Sequence, residues 1–185
     1  MKFIIFFFCL YTISTNYLYG STKDKIINNL SKINNFSFNF IQTIEGKDEQ
    51  GNCTIKYPKK IYCIYSKKNR KELVSNGKTL VIKNEKNKQY YLYPIETTPL
   101  DIILDKTLMI NKFKKSQPIE VGDKYYTFEL KDENNIINIF FDNKTLNMTG
   151  WQTEDIFQNL SVTFIYEIKI NEDINDKIFV LPKMF

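Results

Sequence analysis

Residues 51–65, GNCTIKYPKKIYCIY, and 73–84, LVSNGKTLVIKN, decide the fold. Cys53, Ile55 and Tyr57 alternate with polar residues up to Pro58, and Ile61, Cys63 and Tyr65 alternate after it. A period of two puts alternate side chains on one face of a strand. Pro58 has no N–H to give to a ladder, so it belongs at the turn between two strands. Asn76-Gly77 is the dipeptide that best tolerates two positive φ angles in a tight hairpin. An antiparallel meander with one apolar face is expected here.

The alternation extends outward. Phe36, Phe38, Phe40, Gln42 and Ile44 predict a strand before the meander, joined to it by a polar turn over residues 46–51. QYYLYPI, residues 89–95, predicts one after it. TTPLDIILD, residues 97–105, breaks the pattern with a cap residue and a proline at the first helical position. Leu100, Ile103 and Leu104 share a face there, so a short helix is expected between strands, and Leu108, Met109, Ile110 and Phe113 continue the apolar character. Strands resume at 125–130, 135–141, 145–152 (holding the single Trp151) and 160–170, with Asp142-Asn143 as a turn. Residues 178–182 read as a last short strand or extended arm. Ahead of all this, Ile26, Ile27, Leu30 and Ile33 have helical spacing, with Ser21 or Thr22 as cap. Regular turn signals without a repeat or a linker predict a mainly β (α+β) fold: a single antiparallel sheet curled into an incomplete barrel, with short helices.

Composition narrows the function. The chain has 185 residues and starts with Lys2, an apolar run from Phe3 to Tyr11, and then Gly20-Ser21. That order is the layout of a secretory signal. The run is shorter than the roughly 20 residues that span a bilayer. Residues 1–20 are therefore expected to be a cleaved signal and 21–185 a single exported domain. Cys9 follows Phe6, Phe7 and Phe8, with no small residue beside it, unlike a lipid-attachment cysteine. The net charge is +5, with lysines interleaved among acids, so no nucleic-acid partner is expected. The absence of histidine excludes Ser-His-Asp and Cys-His catalysis and histidine-bound zinc. Asp132 with Glu133, and Glu154 with Asp155, read as solvated loop acids rather than a catalytic pair. With 6 Gly and no glycine-rich phosphate loop, no cofactor is expected.

Cys53 and Cys63 are equidistant from Pro58 and fall opposite each other in a hairpin folded about it. Opposed Cα atoms lie about 4.5 Å apart in a non-hydrogen-bonded pair, near the short end of the disulfide range. An exported chain meets oxidising conditions. A disulfide is expected; the alternative is two small buried apolar residues. The 15 Phe and 12 Tyr fall largely on predicted strands. Between two sheets they would fill a core. On one curled sheet, with helices across its mouth, they would line a ligand cavity.

Several stretches resemble one family. FSFNFIQ, residues 36–42, looks like its first strand, and residues 51–65 resemble its G-x-L-x-x-x-R-P-x-x-x-x-x-x-Y hairpin. LVSNGKTL, residues 73–80, is close to its S-D-G-x-x-L turn. TPLDIIL, residues 98–104, resembles its T-P helix, and FVLP, residues 179–182, its F-x-x-P ending. The family is the outer-membrane lipoprotein carrier proteins, periplasmic chaperones of lipoprotein localisation. The resemblance implies a half-barrel with a helical lid and no catalysis. It implies binding the acyl chains of lipoproteins that an inner-membrane releasing transporter frees, as a monomer, and delivering them to an outer-membrane receptor. The lining expected on this basis is Phe36, Phe38, Phe40, Ile55, Ile61, Leu80, Ile82, Leu92, Leu100, Ile103, Leu104, Met109, Trp151 and Phe164. The family's arginine before the hairpin proline latches the lid; here that position is Tyr57, whose phenol offers one donor instead of five. The cysteine pair stands where the family commonly has large apolar residues. A periplasmic lipid- or lipoprotein-binding sensor or receptor on the same half-barrel is the alternative, and would need an anchor or second domain. A hydrolase would need a polar constellation in the cavity, which the strand patterns do not suggest.

Overall fold

The computed structural model describes residues 20–68, 70–132, 135–154 and 159–183. The expected signal, Gly20 apart, lies outside the described residues, as do Glu133 and Asp155 of the carboxylate pairs.

Eleven strands form one open antiparallel sheet: β1 (Asn35–Ile44), β2 (Lys47–Lys56), β3 (Lys60–Tyr65), β4 (Lys71–Asn76), β5 (Thr79–Asn84), β6 (Gln89–Pro94), β7 (Ile119–Val121), β8 (Tyr125–Asp132), β9 (Asn135–Asp142), β10 (Met148–Glu154) and β11 (Leu160–Ile170). Their order is β6-β5-β4-β3-β2-β1-β11-β10-β9-β8-β7, so the sheet is a meander whose first and last long strands meet in the middle. Three helices sit in the curl: α1 (Thr22–Ser31), α2 (Leu100–Leu104) and α3 (Lys106–Lys115).

Ser21 caps α1 and Asp24 returns the bond to its backbone, a complete capping box. Ile26 and Leu30 are the buried stripe of that helix. Asp105 starts α3 by accepting from the Leu108 N–H at 3.0 Å. The continued apolar character after residue 105 is therefore a second helix, not a coda to the first. Lys106 Nζ ties α3 to α1, donating to the Ser31 and Ile33 carbonyls at 3.0 and 2.6 Å.

Four local expectations change. The turn predicted over 46–51 is only Glu45-Gly46, because the β1–β2 ladder runs on to Ile44 and Lys47. Backbone pairing needs no apolar side chain, so hydropathy ends before the strand does. Pro99, not a threonine, occupies the cap position of α2, and the Thr98 hydroxyl instead donates to the Ile95 carbonyl at 2.8 Å. β10 starts at Met148, because Asp142 Oδ1 accepts from Lys144 and twice from Thr145 and holds that segment in a turn. The tail is a 3-10 turn over Asp176–Phe179 with Phe179 buried, rather than a strand.

One end of the curl is filled. Phe113 of α3 stacks on Phe128 with ring centroids 4.1 Å apart and meets the edge of Phe141 at 5.6 Å. Leu130, Ile137, Ile139 and Met109 close around them, all buried. The other end is not filled.

Candidate functional site

The inner wall of that open end is set by strand register. Phe36, Ile55, Ile61, Ser75, Leu80 and Tyr93 stand opposite one another from β1 to β6. The next inward row is Phe38, Cys53, Cys63, Leu73 and Ile82. The row after that is Phe40, Gly51 and Tyr65, with the Lys71 ammonium over the Tyr65 ring. Residues two apart share a face, so each row lies beside the last. Cys53 and Cys63 are joined by a disulfide across β2 and β3. Gly51 leaves a gap in the third row: a Cβ there would stand 2.2 Å from the Ile64 carbonyl oxygen. Through that gap the Phe40 and Tyr65 rings meet edge-on at 5.0 Å.

Between this wall and the segment from Thr97 to Leu100 lies a cavity of about 330 Å³, at the small end of the ~300–1,000 Å³ range of small-molecule sites. Its floor is Phe38, Phe40, Ile61, Leu73, Leu80 and Ile82, with the disulfide between them and Trp151 at one side. Trp151 meets Phe38 edge-on at 6.1 Å.

The other end of the cavity is polar. Inward-facing Phe36, Phe38 and Phe40 give way to Gln42 on β1, and β11 brings buried Ser161 and Thr163 beside it. Tyr65 Oη donates to Gln42 Oε1 at 3.3 Å, and Gln42 Nε2 donates to Ser161 Oγ and Thr163 Oγ1 at 3.1 and 3.2 Å. Lys71 Nζ pairs with Glu49 and sits 4.0 Å from the Tyr65 ring centre. Burial, then the Glu49 charge, pushes the Tyr65 phenol well above the usual tyrosine range, so it stays protonated.

The lid over the cavity is anchored at Lys59, in the β2–β3 turn. Its N–H donates to the Leu104 carbonyl at 2.7 Å, and its ammonium lies 2.7 Å from Asp101 and 3.9 Å from Asp105. Its close pairing with the Asp101 carboxylate holds the Lys59 ammonium above the ordinary lysine range. Tyr57 does not latch. Its hydroxyl is buried without a hydrogen-bond partner, its ring packs 6.0 Å from Phe36, and the Lys106 ammonium lies 5.7 Å from its centre. Burial first, then Asp105, drives that phenol strongly upward. The contacts that tie residues 101–105 come from Lys59, two positions beyond Tyr57.

Of the residues expected to line the cavity, Phe38, Phe40, Ile61, Leu80, Ile82, Leu100 and Trp151 do. Phe36, Ile55, Ile103, Leu104 and Met109 lie instead in the packed core beside it. Leu92 and Phe164 are corrections: both face outward, 47% and 45% exposed. On β6 it is Tyr93 that lines the cavity, which leaves Leu92 opposite Val81 on the convex side. On β11 the inward positions are Ser161, Thr163 and Ile165, so Phe164 stacks on Phe140 outside, with centroids 5.7 Å apart. A one-residue shift of parity exchanges faces. Gln42 and Tyr65 share parity with Phe38, Phe40 and Cys63, which was the signal for them, whereas hydropathy gave none for Lys71, Ser161 and Thr163. Among the described residues no cluster of acids, cysteines and histidines is placed to hold a metal, and no helix is long and apolar enough to cross a membrane.

A family model for the "Outer membrane lipoprotein carrier protein LolA" matches residues 31–182, from the end of α1 through every strand. Similar solved structures include an uncharacterized conserved protein from Thermus thermophilus, at 8% identity and TM-score 0.52 over 88% of this chain and 96% of that one. A LolA superfamily protein from Nitrosomonas europaea is 14% identical, with TM-score 0.48 over 88% and 99% of the two chains. MucB is 11% identical, with TM-score 0.50, and the match covers 88% of this chain but only 64% of MucB. No curated protein matches.

Proposed function

Because the chain belongs to the outer membrane lipoprotein carrier protein family, we propose that it is a periplasmic, non-catalytic lipoprotein carrier. Residues 1–20 serve as its cleaved export signal and 21–185 as the carrier domain. It takes up acyl chains of lipoproteins freed by an inner-membrane releasing transporter and hands them, as a monomer, to an outer-membrane receptor. The observation that carries this reading is the cavity of about 330 Å³, apolar over most of its floor, between the sheet and residues 97–100.

The energetics suit a shuttle. An acyl chain gains about 0.8 kcal/mol per methylene on leaving water, so a long chain costs on the order of 10 kcal/mol to carry uncovered. The segment from Thr97 to Leu100 covers the site, and the helix it leads into is tied at Lys59. A hydrolase is disfavoured on chemistry. Ser161 is hydrogen-bonded to an amide N–H of Gln42, which has no lone pair to take its proton.

The test is to express the full chain in a bacterium with a periplasm, purify it without detergent, and analyse extracted lipid by mass spectrometry. A photoreactive residue in place of Leu80, on the cavity floor, is used in parallel. Acyl lipid in the extract and crosslinks to lipoproteins are the expected result. Protein free of lipid that crosslinks to no lipoprotein overturns the proposal.

A further inference from the structure

The polar end of the cavity is directional. Tyr65 gives its proton to Gln42, and Gln42 gives its two to Ser161 and Thr163. A hydroxyl that accepts from an amide still carries a proton to donate. The chain of hydrogen bonds therefore ends in two hydroxyl donors on the cavity wall. Ser161 and Thr163 are 6% and 3% exposed, too buried for bulk water to serve them fully. They are also rigidly placed. Thr163 stands opposite Gln42 on one side and Trp151 on the other, and Ser161 stands between Ile44 and Thr153.

Hydrocarbon makes no use of such donors, and a buried polar group left unmatched is costly. The complementary ligand group is an uncharged acceptor. An anion is less well matched, since the nearby ammonium of Lys71 is already paired with Glu49 and Glu154 stands at the same mouth.

We propose that Gln42, Ser161 and Thr163 form a head subsite that receives the ester or amide carbonyl at the base of an acyl chain, with the chain running over Phe40, Phe38 and Leu80 toward Ile61. This deepens the carrier reading and rests on it. The subsite sets the depth to which a chain enters and favours acylated glycerol over alkyl or phosphate-headed amphiphiles. It makes Gln42 a positioning residue: its amide holds both hydroxyls with their protons turned toward the cavity.

The test compares two probes that differ in one carbonyl, monopalmitoylglycerol and its ether analogue 1-O-hexadecylglycerol, by quenching or enhancement of Trp151 emission in the whole domain. The ester is expected to bind about tenfold more tightly, the size of one or two net hydrogen bonds. Ser161→Ala with Thr163→Val is expected to abolish the preference for ester over ether. A peptide bearing an acylglyceryl group on its amino-terminal cysteine, with its own ether analogue, distinguishes a protein-borne chain from free glyceride. An ester preference in either series supports the subsite and identifies the source. Equal binding of ester and ether in both series by the unaltered protein overturns the subsite and leaves the apolar cavity standing. Failure of every probe to bind overturns the carrier reading, and the subsite with it.

Discussion

Replacing Lys59 with methionine should loosen the lid without damaging the fold. Methionine keeps the apolar stem and removes the ammonium that reaches Asp101 at 2.7 Å and Asp105 at 3.9 Å. The Lys59 N–H bond to the Leu104 carbonyl stays, since it is backbone. The pair is partly screened, with side-chain exposures of 28% and 18%, so its worth is about 0.5–1 kcal/mol rather than that of a buried pair. That lowers the free energy of opening enough to raise the open population roughly two- to fivefold. Trp151, the single tryptophan, lies on the cavity wall and reports directly. Acrylamide quenching of its emission should rise in Lys59→Met, and amide exchange over residues 100–104 should quicken by a similar factor. Asp101→Asn should do the same, and the double variant should add little, because both changes remove one interaction. Half-molar salt should narrow the gap between wild type and variant. The pH sign follows from the raised lysine. Its contribution is whole below the ordinary value of about 10.4 and is lost as pH climbs through the higher folded-state value. Quenching and exchange unchanged in both single variants would refute the latch.

Reducing the disulfide, or Cys53→Ala with Cys63→Ala, should cost about 3 kcal/mol on loop-entropy grounds, read as a fall of roughly 6–12 °C in Tm for a domain of this size; a smaller shift means the β2–β3 hairpin is equally ordered without the bond. Cys53→Phe with Cys63→Phe should retain folding through cross-strand packing yet fill much of the cavity, so an acyl probe should lose most of its affinity; full-strength binding would place the site elsewhere. Tyr57 and Tyr65 should not ionise while the protein is folded. Both phenols are raised mainly by burial, so stability is complete below about pH 10 and falls above it as the unfolded chain ionises. Absorbance at 295 nm should show those two of the nine tyrosines in residues 21–185 titrating only with unfolding.

Strand existence was legible because one face of each strand is apolar, and the hairpins at Pro58 and Asn76-Gly77 because turn chemistry is local. What hydropathy could not give was parity where the inner face turns polar. Along β11 the most apolar residue, Phe164, points out and the hydroxyls of Ser161 and Thr163 point in. Reading the larger hydrophobe as interior inverts that strand. The same reversal misplaced Leu92, whose neighbour Tyr93 lines the cavity instead. Ile103, Leu104 and Met109 were correctly read as apolar, but a helical residue facing a sheet either plugs the curl or roofs it. Only the offset between α2 and α3 settles which, and that offset depends on Asp105 capping α3. The Lys59 contacts were hidden for a different reason, since they run through a backbone N–H and a long flexible side chain.

The empty end of the curl has a cause in side-chain volume. At the filled end, inward positions carry Phe128, Phe141, Leu130 and Ile139, and Phe113 descends between them from α3. At the open end, the middle of the wall carries Ser75, Gly51, Cys53 and Cys63, the smallest residues of their rows, and α2 is too short to reach down. Small side chains alone would leave a compliant wall, prone to collapse onto the void because unfilled space forfeits dispersion contacts. The disulfide and the Gln42–Ser161–Thr163 bonds oppose that collapse from two sides, one covalently across β2–β3 and the other across β1–β11. On the carrier reading, a wall held open at the cost of its own packing is stabilised by the hydrocarbon that enters it.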